Sequence, residues 1–161
     1  MISDSYGPSP YNLTQGPYGY EFFTDLEERY VLYFSDASGY FDGSEFDPNA
    51  LMLGPQRLNP GKRSPHDPRV SATLLHFTEQ AFTDNRTILV YVCDQSDNLE
   101  QQRHRLFNRL FERYGKERYV KHVLAESQTL YASLLYRNDN PFRQQVESTI
   151  PDIREKIGLY L

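Results

Sequence analysis

Two carboxylates at the end of an apolar run are the residues of this chain whose type and spacing best suit metal-ion chemistry. Asp94 follows the run from Ile88 to Cys93, and Asp97 lies three positions later. Because ligands commonly bind outside the carboxyl ends of strands, this pair could hold Mg²⁺ through water and serve a metal-dependent nuclease or phosphodiesterase. The interpretation we favour is simpler: Asp94 occupies a turn, and Asp97 lies at a helix start, where the helix dipole favours an acid.

Arg103 is the third residue that could do chemistry. It falls near the centre of the apolar face of a helix that we predict for residues 98–114, between Leu99 and Leu106. A guanidinium on an apolar face needs a partner, and we expect Arg103 to pair with Asp94. We favour a structural ion pair, or a side chain that reaches solvent, over a catalytic or phosphate-binding role.

A basic stripe runs along the same predicted helix and beyond it. Its members are Arg105, Arg109, Arg113, Lys116, Arg118 and Lys121. Such a stripe could bind nucleic acid along the phosphate backbone without catalysis. Because Glu100, Glu112 and Glu117 are interspersed, we favour a solvated face or an interface with an acidic partner.

Motifs of the common enzyme classes are missing from the sequence. The four histidines have no short metal-ligand spacing, and there is no GxSxG, Walker A or GxGxxG motif. Cys93 is the single cysteine and is expected to pack as a small hydrophobe, and Ser133 has no base near it in sequence. The sequence therefore favours a protein that is not an enzyme and has no cofactor. If it is an enzyme, Asp94, Asp97 and Arg103 are the candidate catalytic residues, and Mg²⁺ is the expected ion.

Charge is distributed unevenly along the 161 residues, whose formal net charge is −5. Residues 1–60 carry nine acidic and two basic side chains, a net of −7, whereas residues 61–161 carry fifteen basic and thirteen acidic ones, a net of +2. Opposite surfaces of this kind steer association. With neither an apolar run of eighteen residues nor a signal-peptide pattern, the sequence predicts a cytoplasmic protein without membrane association.

The elements that must position these residues begin with an N-terminal β-meander. Residues 1–10 are predicted to be a flexible arm. Aromatic and β-branched segments predict short strands over residues 11–15, 20–24, 29–35 and 50–53. Residues 54–65 contain two glycines and three prolines, so we expect a loop there and a boundary between a meander subdomain (11–53) and a second subdomain (66–161).

The second subdomain reads as a helix followed by a ferredoxin-like βαββα unit. Asp67-Pro68 predicts a capped helix start. Strands are expected over residues 87–93, 119–126 and 129–136, helices over 98–114 and after Asn140-Pro141, and a break at Pro151 with Thr149 and Asp152 as a new capping box. An N-terminal strand could supply the strand that the unit lacks. The fold class is therefore α+β, in a single domain over residues 11–161.

Several of these segments occur together in a known family. They are Asp67-Pro-Arg-Val70, Val92-Cys-Asp94 followed by Asp97, Arg103-His-Arg105-Leu-Phe107, and Tyr131-Ala-Ser133 with Asn140-Pro141. The chain resembles domain of unknown function 6169, a family of small bacterial proteins from Bacteroidota. The resemblance covers most of residues 11–157 and implies no activity, substrate or catalytic residue.

A shorter resemblance concerns residues 88–123. They resemble the first strand, helix and second strand of the ferredoxin-like CRISPR adaptation nuclease subunits and their toxin relatives. In those proteins an aspartate ends the first strand, arginines stud the helix and a glycine precedes the next strand. Asp94 is the matching aspartate, and the resemblance implies nuclease activity. The departure is that the unit begins more than eighty residues into the chain, and an N-terminal meander precedes it.

Taken together, these patterns predict a protein-interaction module or a subunit of a larger complex. Thirteen tyrosines and ten phenylalanines suit wet interfaces as well as sheet packing. The opposite charges of the two parts favour self-association or docking with a protein partner. A metal-dependent nuclease that uses Asp94, and nucleic-acid binding through Arg105, Arg109 and Arg113, stay as alternatives.

Overall fold

The fold is seen in a computed structural model that describes residues 8–37, 39, 41, 46–58, 67–94, 112, 117–127 and 130–158. Within these residues the regular elements are β1 (Thr14–Gly16), β2 (Gly19–Phe23), β3 (Arg29–Asp36), β4 (Ala50–Arg57), α1 (Pro68–Ala81), β5 (Ile88–Asp94), β6 (Tyr119–Glu126), β7 (Leu130–Arg137) and α2 (Arg143–Gly158). A 3-10 turn, Asp47–Asn49, precedes β4.

All seven described strands belong to one sheet, in the order β1-β2-β3-β4-β5-β7-β6. The first four strands form an antiparallel meander. β4 then pairs in parallel with β5, over Ala50–Ile88 to Met52–Val90. The predicted fold class, α+β with an N-terminal antiparallel meander, is confirmed. The division into an arm and two subdomains stays a prediction.

The C-terminal part of the sheet has the strand order expected for a ferredoxin-like unit. β7 lies between β5 and β6 and is antiparallel to both, so β5 and β6 are parallel but not adjacent, as in a split βαβ motif. β4 occupies the place beside β5 that we expected an N-terminal strand to fill. The predicted helix between β5 and β6, residues 98–114, lies outside the described residues except for Glu112.

The two faces of the sheet are covered by different helices. On one face, α1 packs Leu74 and Phe77 into a core with Leu32 and Leu89. On the other, α2 packs its buried isoleucines against Val90 and the neighbouring strands. Residues 88–91 are fully buried because β5 has core on both sides, which explains its continuous apolar run.

The prediction of a loop over residues 54–65 was wrong for its first four residues. Gly54–Arg57 continue β4, whose register with β3 includes Leu32–Pro55 and Tyr33–Gly54. β5 pairs with β4 only as far as Met52, so Pro55 lies where β4 needs hydrogen bonds on one side alone. The glycine and proline residues were therefore compatible with a strand.

The start of α1 was predicted correctly. The Asp67 side chain accepts a hydrogen bond from the Arg69 N–H at 2.9 Å, and Pro68 is the first helical residue. Asp67 satisfies one of the amide groups that a helix start leaves without an intrahelical acceptor.

The expected break of the last helix at Pro151 was wrong. α2 runs without interruption from Arg143 to Gly158, with Pro151 inside it on the exposed side. Thr149 donates its hydroxyl hydrogen to the Val146 carbonyl at 2.7 Å instead of capping a new helix. Burial of Ile150 and Ile153 against the sheet holds the helix together on both sides of the proline.

Candidate functional site

Most of the residues that the sequence singled out for chemistry lie outside the described part of the chain. Asp94 ends β5 opposite Leu130, as expected for its backbone, but its side chain is not among those described. The same holds for the whole of Asp97, Arg103, Arg105, Arg109, Arg113 and Lys116. The expected Asp94–Arg103 ion pair, the nuclease site and most of the basic stripe therefore stay predictions.

Two members of the basic stripe are described, and they lie at the start of β6. Lys121 is in β6, with its Nζ 5.6 Å from the centroid of the Tyr131 ring on β7. Arg118 immediately precedes the strand, and its carbonyl oxygen accepts a hydrogen bond from the Asn138 N–H at 2.8 Å. Among the residues that the structure describes, no group of three His, Cys, Asp or Glu side chains is arranged to hold a metal ion.

A polar cluster that the sequence did not reveal lies between β6, β7 and α2. Tyr136 is fully buried, and its hydroxyl lies 3.0 Å from His122 Nε2 and 2.9 Å from Glu147 Oε1. Arg143 Nε donates to the same carboxylate oxygen at 3.0 Å. The rings of His122 and Tyr136 are stacked at a centroid distance of 5.6 Å. Four polar side chains thus form one chain of hydrogen bonds, which we call the polar cluster.

Burial and hydrogen bonding shift the pKa values of the residues in the polar cluster and so set their protonation states. Burial lowers the pKa of His122, and burial together with the bond to Glu147 raises the pKa of Tyr136 well above its ordinary value. The hydrogen bonds from Arg143 and Tyr136 lower the pKa of Glu147, so this carboxylate is ionised and only accepts. Tyr136 has one hydroxyl hydrogen and gives it to Glu147, so the hydrogen on His122 must be on Nε2.

The sequence held a partial signal for the polar cluster. Arg143 and Glu147 are four residues apart on a predicted helix, a spacing that favours an ion pair. His122 was instead treated as an isolated histidine. Its proximity to Tyr136 depends on the register that pairs it with Leu134, and a sequence does not supply that register.

A shallow depression of about 630 Å³ lies near the end of α1 and is lined by Thr83, Asp84, Asn85, Arg86 and Arg137. Arg86 binds Asp84 through two nitrogens, and Arg137 binds Asp139 in the same manner. Each arginine already has a carboxylate partner, so the depression does not present an uncompensated positive charge.

The clearest surface feature is a set of exposed apolar side chains in the meander. Of the six large hydrophobic residues that are exposed in the described part of the chain, five lie between positions 18 and 33. We call these five the aromatic patch: Tyr18, Tyr20, Phe23, Leu26 and Tyr33. The sixth is Val123, on β6.

The patch occupies both ends of β2 and part of each sheet face. Tyr18 and Leu26 lie in the turns before and after β2 and are 77% and 60% exposed. Tyr20 faces α1 and contacts Phe77, with ring centroids 5.7 Å apart. Phe23, 60% exposed, lies on the opposite face, because side chains alternate along a strand.

On that opposite face, Phe23 and Tyr33 flank an ion pair. Arg29 Nη2 lies 2.6 Å from Glu21 Oε1, and Arg29 is the cross-strand neighbour of Phe23. α2 packs on the same face of the sheet, but its core partners are on β4 to β7. The face therefore has a core-covered part and a part over β2 and β3 that carries exposed aromatic rings.

The turn that presents Leu26 is tied to the rest of the protein. The Thr24 N–H donates to the Glu28 carbonyl and the Glu27 N–H to the Thr24 carbonyl, both at 2.9 Å. The Asp25 N–H donates to the Tyr11 hydroxyl, which in turn donates to Asp67 Oδ2 at 2.6 Å. Leu26 is thus held in place relative to α1 rather than on an isolated hairpin.

Comparison with known protein families yields a match over the C-terminal part of the chain. A family model described as a family of unknown function, DUF6169, matches residues 66–155, more than half of the chain. The match confirms the family resemblance seen in the sequence. Neither a curated protein nor a solved structure matches the chain. None of the helices in the described segments is long and apolar enough to cross a membrane.

Proposed function

This chain belongs to DUF6169, a family of unknown function, and we propose that it is a protein-interaction module that binds its partner through the aromatic patch. The observation that carries the proposal is the concentration of exposed apolar residues: five of the six in the described part of the chain lie within one stretch of sixteen positions, 18–33. Scattered exposed hydrophobics are normal, whereas a concentration of them marks an interaction surface.

The chemistry of the patch agrees with this function. Tyrosine and phenylalanine are enriched at interfaces because they offer a large apolar area with few rotatable bonds. The patch is also pre-organised, since β2 and β3 are paired from Tyr20–Leu32 to Phe23–Arg29 and the Leu26 turn is hydrogen-bonded to Tyr11. A rigid surface loses little conformational entropy on binding.

The experiment is a comparative capture from the lysate of the native host. Tagged wild-type protein is compared with a double variant, Phe23→Ser with Leu26→Ser, and with the control Val123→Ser. Val123 is also an exposed apolar residue, 37% exposed, but it lies on β6 rather than in the patch. Wild type and control are expected to retain the same protein, and the double variant is expected to lose it.

Far-ultraviolet circular dichroism and thermal unfolding must show that all three proteins are folded. Surface substitutions of this kind usually change stability by less than about 0.5 kcal/mol. If the double variant retains every protein that wild type retains, the aromatic patch is not the binding surface and the proposal is wrong.

A further inference from the structure

Resting on the proposed function, the structure points to the chemical class of the partner: we infer that the aromatic patch binds a basic polypeptide segment, one with arginine or lysine beside apolar side chains.

The surroundings of the patch are acidic. Glu21, on the sheet face of Phe23 and Tyr33, is paired with Arg29, and Asp25, next to Leu26, is paired with Arg69. Residues 21–29 nevertheless carry four acidic side chains and one arginine, so the acids remain in excess even when Arg69 is counted with them. Residues 1–60 carry nine acidic side chains against Arg29 and Arg57. An excess of negative charge attracts a positively charged partner and raises its rate of association.

The exposed rings strengthen the same preference. A guanidinium or ammonium group is attracted to the face of a tyrosine or phenylalanine ring, and carboxylates at the rim add to that attraction. Two such rings, Phe23 and Tyr33, are exposed on the sheet face opposite α1, and Tyr18 lies in the turn before β2. A partner with basic side chains can therefore use the rings twice, through cation–π contacts and through burial of its apolar stems.

Charge also argues against a second copy of this chain as the occupant. Each copy has a formal net charge of −5, so two copies repel one another. In a two-fold symmetric dimer formed through the patch, the same surface would meet itself and place acidic residues opposite acidic residues. A separate, basic partner avoids both the repulsion between net charges and the contact between acidic residues.

The spacing of the rings limits the partner further. Tyr33 lies beside Gly19, at one end of β2, and Phe23 lies at the other end. Four residues of strand separate these ends, about 13 Å at the usual rise per residue. An extended segment with apolar side chains at positions i and i+4 on one face matches this distance.

The test measures binding of short fluorescent peptides to the full chain by fluorescence anisotropy. The main probe has leucine at positions i and i+4, arginine around them and serine elsewhere. One control peptide replaces the arginines with glutamate, and a second replaces the leucines with serine. We expect the main probe to bind at least about fivefold more tightly than either control, and more weakly as salt is raised.

Protein variants complete the test. Phe23→Ser with Leu26→Ser is expected to weaken the main probe at least about fivefold, and Val123→Ser is expected to leave its affinity unchanged. Equal binding of the arginine and glutamate peptides, or no binding of any peptide, overturns the inference of a basic partner. Those results leave the capture experiment with the native partner to decide the proposed function separately.

Discussion

The ring of Tyr33 on β3 lies directly over Gly54, its cross-strand neighbour on β4. A Cβ added to Gly54 would clash with Cε2 and Cζ of that ring and would lie 2.8 Å from its Oη. Glycine is therefore favoured here by the close approach of an aromatic side chain, not by a turn. The ring replaces the missing side chain and protects the backbone of β4, an arrangement that stabilises glycine in strands.

We expect Gly54→Ala to destabilise the protein by about 1 kcal/mol, because the new methyl group forces the Tyr33 ring away from the strand. In a Tyr33→Ser background the same change should be neutral or should stabilise by about 0.5 kcal/mol, because alanine loses less backbone entropy than glycine on folding. Urea denaturation of the four proteins measures this coupling as a double-mutant cycle.

Gly158→Ala is the matched control for that cycle, since a Cβ at this position would have no atom of the described residues within 4 Å. It should not lower stability. If Gly54→Ala lowers the free energy of unfolding equally with and without the Tyr33 ring, the ring is not the reason for glycine at position 54.

Tyr136→Phe is expected to cost about 1–2 kcal/mol of folding free energy. The ring still fills its site, but Glu147 loses a hydrogen-bond donor and His122 loses the acceptor of its Nε2 hydrogen. The pKa of Glu147 should rise, because the Tyr136 hydroxyl donates one of the two hydrogen bonds that lower it. Urea denaturation and an NMR titration of the Glu147 carboxyl measure the two effects.

Glu155→Gln, an exposed change on the same helix, is the control and should alter neither quantity. A Tyr136→Phe protein as stable as wild type, with an unchanged Glu147 titration, would show that the hydroxyl contributes nothing to the polar cluster.

His122 should make folding stability depend on pH near neutrality. Its pKa is lowered by burial and by Arg154 and Arg143, against the opposing effect of Glu147, so the unfolded chain binds the proton more readily than the folded one. The contribution of His122 is complete above its ordinary pKa of 6.5 and is lost as pH falls towards its folded value. Glu147 adds a second loss of folding stability as pH falls below its ordinary pKa of 4.5, because its pKa is lowered in the folded protein.

Urea denaturation at several pH values from about 7.5 to about 5 measures how folding stability falls as His122 is protonated. The His122→Gln substitution should reduce this dependence of stability on pH. His76→Gln, at an exposed position on α1, is the matched histidine control and should leave the slope unchanged. An identical pH slope in wild type and His122→Gln would contradict the prediction.

Pro151→Ala is expected to stabilise the protein by about 1 kcal/mol or more. Pro151 is exposed inside α2 and cannot donate a backbone hydrogen bond to the preceding turn, and alanine restores that donor without disturbing the buried face. Thermal unfolding of the two proteins measures the gain. Asp152→Ala, the adjacent exposed position on the same helix, should change stability much less. A less stable Pro151→Ala protein would show that α2 depends on the proline.

Short-range signals in the sequence predicted much of the fold. The cap at Asp67, the proline that follows it and the apolar spacing of α1 act within a few residues, and the helix begins where they predict. β6 has the predicted bounds for the same reason. The continuation of β4 through Gly54 and Pro55 was missed because it depends on pairing with β3, which overrides the local preference of those residues for a loop.

By itself, the sequence determined the fold class, the family resemblance and the unequal charge of the two parts, because composition, periodicity and motifs are properties of the chain alone. Only the tertiary structure decided which side chains meet and which stay exposed. The polar cluster of His122, Tyr136 and Glu147 depends on strand register and on the position of α2 against the sheet. Phe23 and Tyr33 are exposed because α2 covers a different part of their sheet face, and coverage is a long-range property that no local pattern encodes.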